Sequence, residues 1–203
     1  RDDTPTATGQ LLKSAPLDQC LDALKSDWFS WRTEAVEHNK QQSGAIRRGV
    51  GVGCMWYGCG NTSIPNPSTM KIGINRYGKI TLYSGAQDIG QGTNTTMIQA
   101  AADGLGIAMN QINLVWGDTD LTPESGKSSA SRQAYVSGNA AKFAGENLRA
   151  QILRLANAGD SADIIVLNGA LRVSDDGNQR EIELKSLSGL ENGDVLLGEG
   201  YFD

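Results

Sequence analysis

The chain has 203 residues, a net charge of −5 and an isoelectric point near 4.9. This acidic balance gives no general attraction to nucleic acid or to an anionic membrane, so we expect neither as a partner. No run of about 18 apolar residues occurs, so the sequence predicts no membrane-spanning helix.

Cysteine and histidine, which hold many protein metals, are scarce. Cys20, Cys54 and Cys59 have the spacing of neither a zinc ribbon nor an iron–sulfur ligand run. We interpret them as reduced, buried core thiols of a cytoplasmic protein. His38 is the only histidine and falls on a predicted surface helix, so a Ser-His-Asp triad or a histidine metal site is not expected.

The first half of the chain is predicted to alternate helix and strand. Apolar residues recur at helical spacing from 17 to 41 and are interpreted as a packing stripe, whereas 45–60 resembles a glycine-crowded strand. Two further strands are joined by a turn at Asn75–Gly78. A helix then begins near residue 93, and Gly106 is a suitable C-terminal stop.

The second half continues the alternation. A short strand over 112–118 is followed by a polar loop and by an alanine-rich helix over 131–158, whose small residues favour close packing. Asn168–Gly169, between two apolar runs, predicts a hairpin, and 195–202 predicts a last strand. The fold class predicted is α+β, with mixed sheets and packed helices.

Glycine makes up 25 of the 203 residues, about 12%, against about 7% in ordinary proteins. Ile89, Gly90, Gln91 and Gly92 lie between a predicted strand and a helix. Free backbone N–H groups at a helix start favour an anion, and the Gln91 amide can both donate and accept. The ordinary alternative is a tight turn between strand and helix.

A second candidate loop lies at 126–133 and is also predicted to open a helix. Its serines supply hydroxyl groups that could bind an anion. The ordinary alternative is a serine-rich cap on an exposed helix. Two such loops in one chain make a shared anionic ligand more plausible than either loop does alone.

The stretches GAQDIGQGTNTTMIQAAADGLGI and GDTDLTPESGKSSASRQAYVSGNAA, in this order, resemble the molybdopterin-binding half of xanthine dehydrogenases and aldehyde oxidoreductases. In that family a Gly-Gln-Gly turn begins a helix, and a small-residue loop opens a later one. The resemblance implies that 1–203 is a portion of the molybdopterin-binding domain, with the best similarity over 1–150.

The family resemblance also implies a site. Ile89, Gly90 and Gln91 would contact the pterin end of the cofactor. The residues that would contact its pyrophosphate or cytosine nucleotide are Ser128, Ala130, Ser131 and Gln133. Asn61 and Thr62 would lie on the substrate side, where purine-oxidising members place an aromatic residue.

The implied activity is hydroxylation of an aldehyde or N-heteroaromatic carbon with oxygen derived from water. The cofactor is molybdenum-molybdopterin, as such or as its cytosine dinucleotide, and electrons leave through iron–sulfur clusters, often to FAD, on partner domains or subunits. The family's catalytic glutamate has no counterpart after Gly159. Glu199 is interpreted as a surface or turn residue, so no catalytic residue is assigned and the chain is not expected to be catalytically complete alone.

Two other functions remain open from the residues alone. One is a nucleotide-binding enzyme of another class, which would use the same loops for a phosphate ligand. The other is a non-catalytic interaction module whose glycines only shape turns.

Overall fold

The structure is a computed structural model that describes residues 3–7, 9–55, 57–58, 60 and 64–203. The chain forms two compact units, Arg1–Tyr57 and Gly58–Asp203. Across the described residues, no helix is both long and apolar enough to cross a bilayer.

The first unit contains α1, Leu17–Gln41, which confirms the predicted helix. The predicted packing stripe does not pack within this unit: of the helix residues, all of them described, Ala35 alone is buried, whereas Leu21, Leu24 and Trp31 are exposed. These side chains line an open apolar groove together with Val52.

Two predictions for this unit are wrong. The described residues of 45–60 form no strand, because this glycine-rich segment pairs with no other strand of the described chain and glycine is costly to order. Cys20 and Cys54 are exposed free thiols and not core residues. Cys59 lies outside the described residues.

The second unit contains the remaining elements. In chain order they are β1 Ser68–Asn75, β2 Ile80–Ser84, α2 Thr93–Leu105, β3 Ile112–Trp116, α3 Val136–Ala156, β4 Asp163–Leu167, β5 Ala170–Asp175, β6 Asn178–Glu183 and β7 Asp194–Phe202. Short 3-10 turns precede β3 and follow β6.

Four of the strands form one sheet in the order β3-β2-β1-β7. β1 is antiparallel to both β2 and β7, and β2 and β3 are parallel because α2 carries the chain across between them. The helices α2 and α3 contact each other and cover one face of this sheet, where Met70, Ile72 and Ile74 are fully buried. This mixed sheet under packed helices confirms the α+β prediction.

Small residues let α3 lie close to its neighbours, as predicted. A side-chain carbon at Gly145 would overlap the carbonyl oxygen of Ala101 on α2, and carbons at Gly198 and Gly200 would overlap the backbone of α3. Contacts between two backbones at this distance require glycine.

A second sheet, in the order β4-β5-β6, packs apolar residues such as Leu171 and Val173 into the same core. The predicted turn at Asn168–Gly169 joins β4 to β5, and Gly169 adopts the left-handed conformation. β6 has no apolar alternation and was not predicted, because pairing with β5 alone makes it a strand.

Candidate functional site

The two candidate loops meet. The predicted loops are 89–92 and 126–133. Because flanking residues take part in their contacts, the first loop is defined from here on as 87–92 and the second as 125–133. The carbonyl oxygen of Gln87 accepts one hydrogen bond from Ser128 Oγ and one from Gln91 Nε2, each 3.0 Å long. A single acceptor therefore ties the second loop to the first, as a shared ligand would require.

The start of α2 is capped from inside the chain. The carboxylate of Asp88 accepts hydrogen bonds from the N–H groups of Gly90, Gly92 and Asn94 at 2.8, 3.3 and 3.1 Å. These bonds, that from Asn94 foremost, lower the pKa of Asp88 below its usual value. These three N–H groups are therefore not free for an external anion, contrary to the prediction, because Asp88 already fills the anion position.

Replacing Asp88 by asparagine removes the charge and keeps the shape. Because the lowered pKa favours the charged form in the folded chain, Asp88 stabilises the fold above its ordinary pKa, and this contribution is lost as the pH falls through the lowered value. We expect Asp88→Asn to lower the thermal midpoint at pH 7, with a difference that shrinks below about pH 4. Asp118→Asn, in a turn that starts no helix, is the control. A difference that is equal at both pH values would contradict the capping role.

The first loop leaves open space outside its own hydrogen bonds. Gln91 Oε1 accepts from the Ile89 N–H at 2.6 Å, and Gln91 Nε2 also donates to Thr93 Oγ1 at 2.8 Å. The Ile89 side chain is 77% exposed. A side-chain carbon at Gly90 or Gly92 would meet no described atom within 4 Å. The turn can therefore admit a ligand against its backbone.

The second loop leads into α3, as predicted, but contributes no residue to it. The predicted helix at 131 begins only at Val136, because Ala130 and Ser131 have φ of 51° and 54° and so interrupt a right-handed helix. Left-handed conformations are uncommon outside glycine and concentrate at functional sites. The carbonyl oxygen of Ala130 accepts from the N–H of Gly60 at 2.6 Å, which fixes this bend.

The buried side chain of Gln133 stabilises the second loop through hydrogen bonds. Its side chain is 7% exposed, and Nε2 donates to the Lys127 carbonyl oxygen and to Ser128 Oγ at 3.2 and 3.3 Å. Oε1 accepts from the Ser137 hydroxyl. Gln133 therefore orients Ser128, while Ser131 lies on the exposed side. Direct contact of these residues with a cofactor stays a prediction.

Arg132 is a site residue that the sequence did not reveal. It is 1% exposed, and its guanidinium donates to four backbone carbonyl oxygens. Nη1 donates to Ser125 and Lys127 at 2.7 and 3.1 Å, and Nη2 to Asn66 and Pro67 at 2.8 and 2.9 Å. Burial lowers the pKa of Arg132, whereas the negative charges of Glu124 and Asp203 act to raise it.

The site as described fits a polar, anionic cofactor with a bulky ring. The open backbone faces of Gly90 and Gly92 leave room, and the second loop supplies hydroxyl groups beside a buried positive charge. Two buried polar atoms within the described part of the chain, Asn94 Oδ1 and Arg132 Nε, have no hydrogen-bond partner. Unsatisfied buried polar atoms are rare and indicate a missing partner or a functional role.

Two predicted residues cannot be placed. Asn61 and Thr62 lie outside the described residues. Glu199, which was not assigned a catalytic role, is exposed on β7 and pairs with Lys71 at 3.3 Å, which confirms a surface role.

Comparisons with known proteins agree on one family. The model of the molybdopterin cofactor-binding domain matches residues 23–203. The chain is 35% identical over 157 residues to the putative xanthine dehydrogenase molybdenum-binding subunit XdhA of Escherichia coli, covering 74% of this chain and 20% of that protein. It is 33% identical over 145 residues to the aldehyde oxidoreductase of Megalodesulfovibrio gigas, covering 70% and 15%.

A solved structure extends the similarity to the fold. The aldehyde oxidoreductase of Desulfovibrio desulfuricans is similar over 100% of this chain and 20% of its own, with 28% identity and a TM-score of 0.61. The chain thus spans about a fifth of the length of such relatives. These similarities support neither a nucleotide-binding enzyme of another class nor a non-catalytic module. The chain belongs to the molybdopterin cofactor-binding domain family, which it shares with the xanthine dehydrogenase and aldehyde oxidoreductase type of molybdenum hydroxylase.

Proposed function

We propose that the two loops together hold the molybdenum-molybdopterin cofactor of an enzyme that hydroxylates an aldehyde or an N-heteroaromatic carbon. The observation that carries this proposal is the Gln87 carbonyl oxygen, which accepts hydrogen bonds from both loops. A ligand that touches one loop therefore lies within reach of the other. When bound, the cofactor supplies the metal at which the substrate carbon is oxidised by two electrons.

The charges of the two loops support one orientation of the cofactor. The Asp88 carboxylate sits in the first loop and repels phosphate, so the pterin end would lie against Ile89, Gly90 and Gln91. Arg132 gives the second loop a positive charge. The pyrophosphate, or a cytosine nucleotide beyond it, would lie against Ser128, Ala130, Ser131 and Gln133.

The family similarity also supports proposals for the rest of the enzyme, namely its domain, its partners and its location. We infer that 1–203 forms a portion of one molybdopterin-binding domain, with Asn61 and Thr62 on the substrate side. The match named as a molybdenum-binding subunit supports partner subunits or domains, which would carry iron–sulfur clusters and FAD. We place this assembly in the cytoplasm, where the free thiols Cys20 and Cys54 would stay reduced.

The proposed activity can be tested by following the source of the oxygen atom that is added to the substrate carbon. The overall reaction adds water to the carbon and releases two electrons and two protons, with the electrons passing to the partner centres. The complete enzyme would be supplied with a panel of N-heteroaromatic rings and aldehydes in oxygen-free buffer made with ¹⁸O-water and a soluble electron acceptor. We expect a ring product that carries ¹⁸O, or a carboxylate formed without O₂. A product that forms only with O₂, or no product from molybdenum-loaded enzyme, would contradict the proposal.

A further inference from the structure

The second loop is held by one buried side chain. The guanidinium of Arg132 binds the carbonyl oxygens of Asn66 and Pro67, just before β1, and those of Ser125 and Lys127 in the loop itself. We propose that Arg132 is a positioning residue that shapes the second loop around the phosphate end of the cofactor and supplies its positive charge. This inference rests on the proposed function.

The planar fork of arginine explains the choice of residue. Two nitrogen atoms, each with two hydrogens, reach four carbonyl oxygens that come from two separate segments of the chain. A lysine ammonium is a compact charge with three donors and cannot span both segments in one plane. The contact therefore joins the segment before β1 to the loop through geometry as well as charge.

The hydrogen bonds of Arg132 also determine the orientation of a backbone N–H group in the second loop. In a trans peptide the C=O and N–H bonds point in opposite directions, and the described chain has no cis peptide bond. Because the Lys127 carbonyl oxygen points inward to Arg132, the N–H of Ser128 points outward, beside the Ser128 hydroxyl that bonds to Gln87. An anion at this point would meet a backbone donor backed by a buried cation.

The charge of Arg132 is not neutralised by an ion pair. Across the described residues, no carboxylate lies within 4.0 Å of its nitrogen atoms, and its Nε has no hydrogen-bond partner. Neutral carbonyl dipoles are its bonded neighbours. The carboxylates of Glu124 and Asp203 act on this charge only from beyond ion-pair distance. A buried charge without a contacting counter-ion is costly, and the negative charge of a bound pyrophosphate would reduce that cost.

The absence of a side chain at Gly126 leaves space for the guanidinium of Arg132. Gly126 has φ +69°, and a side-chain carbon there would lie 2.6 Å from Arg132 Nη1. The same arrangement occurs far from the loops, where Gly106 has φ +79° and its added carbon would lie 2.7 Å from Arg149 Nη1. Arg149 likewise binds carbonyl oxygens, those of Leu105, Asp160 and Ala162. This second arginine–glycine pair is a matched control.

The test uses the complete enzyme purified from its native host and four variants: Arg132→Lys, Gly126→Ala, Arg149→Lys and Gly106→Ala. We would measure molybdenum and pterin per polypeptide, the thermal midpoint, and the affinity of cofactor-free enzyme for inorganic pyrophosphate. All four variants should lower the thermal midpoint. Arg132→Lys and Gly126→Ala should also lose cofactor and weaken pyrophosphate binding about tenfold or more. The Arg149 and Gly106 variants should bind it within about twofold of the parent, as distant sites act independently.

Two results would overturn the inference in distinguishable ways. If the parent contains molybdenum and the Arg132→Lys and Gly126→Ala variants keep both cofactor and pyrophosphate affinity, Arg132 is only a structural residue and the proposed function stands. If the folded parent contains no molybdenum and binds no pyrophosphate, the proposed function fails and this inference fails with it.

Discussion

Replacing Gly145 by alanine is expected to destabilise the protein by about 3 kcal/mol, the upper part of the range for an overpacked core. The added carbon would overlap the Ala101 carbonyl oxygen and lie 2.8 Å from the backbone nitrogen of Leu105. Both atoms belong to the backbone of α2, so relief requires that the two helices move apart. The thermal midpoint should fall by roughly 10 °C.

Gly138 on the same helix is the control. It is buried too, but the nearest atom to its added carbon is the terminal carbon of Met97, at 3.9 Å. Since alanine is favoured over glycine inside a helix by about 1 kcal/mol, Gly138→Ala should be neutral or stabilising. Equal losses at both positions would show that the helix does not tolerate alanine in general, and would contradict the close approach of α2 and α3.

Replacing Tyr83 by phenylalanine is expected to cost about 2 kcal/mol near pH 8 and less in acid. The Tyr83 hydroxyl donates to the buried carboxylate of Asp194 at 2.9 Å, and Asn192 Nδ2 donates to the same oxygen at 2.7 Å. The carboxylate can sit there because Gly73 leaves room: a side-chain carbon at Gly73 would overlap it. Removing the hydroxyl leaves a buried charge with one donor fewer.

The pH dependence follows from the shifted pKa values. Burial raises the pKa of Asp194 above its usual value, so its contribution to stability is full below that usual value and is lost as the pH rises through the raised one. Burial and the neighbouring Asp194 raise the pKa of Tyr83 to about 12, so the hydroxyl keeps its proton through this range. Tyr83→Phe removes a donor that favours the charged carboxylate. We therefore expect the variant to lose more stability than the parent as the pH rises.

Thermal midpoints of parent and Tyr83→Phe between about pH 4 and pH 8 measure this effect. Tyr77, which is 62% exposed, gives the matched control: Tyr77→Phe should leave the midpoint unchanged at every pH. A Tyr83→Phe difference that does not grow with pH would mean that the carboxylate is not charged in the folded protein over this range.

Local signals in the sequence were sufficient for much of the fold. Asn168–Gly169 predicted its hairpin because glycine there needs a positive φ, and Gly106 ended α2 for the same reason. The error at the start of α3 has the opposite origin. Helical spacing continues back to residue 131, but Ala130 and Ser131 adopt a left-handed conformation, and the Ala130 carbonyl oxygen accepts a hydrogen bond from the N–H of Gly60, far away in the sequence.

The candidate site also contains features that local sequence signals could predict and features that they could not. The Gly-Gln-Gly turn and the serine loop were visible as patterns, and a family resemblance gave them a shared ligand. Asp88 could have been recognised as a helix-capping residue, since an acidic side chain just before a helix often accepts its first N–H groups. Arg132 could not, because its partners Asn66 and Pro67 are 66 and 65 residues away and are carbonyl oxygens that any residue carries.

The central claim is that this chain holds a molybdenum-pterin cofactor between its two loops. Its most direct test is elemental analysis for molybdenum, together with pterin analysis, on the untagged protein purified from its native host with every subunit that accompanies it. We predict about one molybdenum and one pterin per copy of the chain, as expected for a cofactor bound within one site. An intact, folded native assembly that contains no molybdenum would contradict the claim and leave the two loops as ordinary turns.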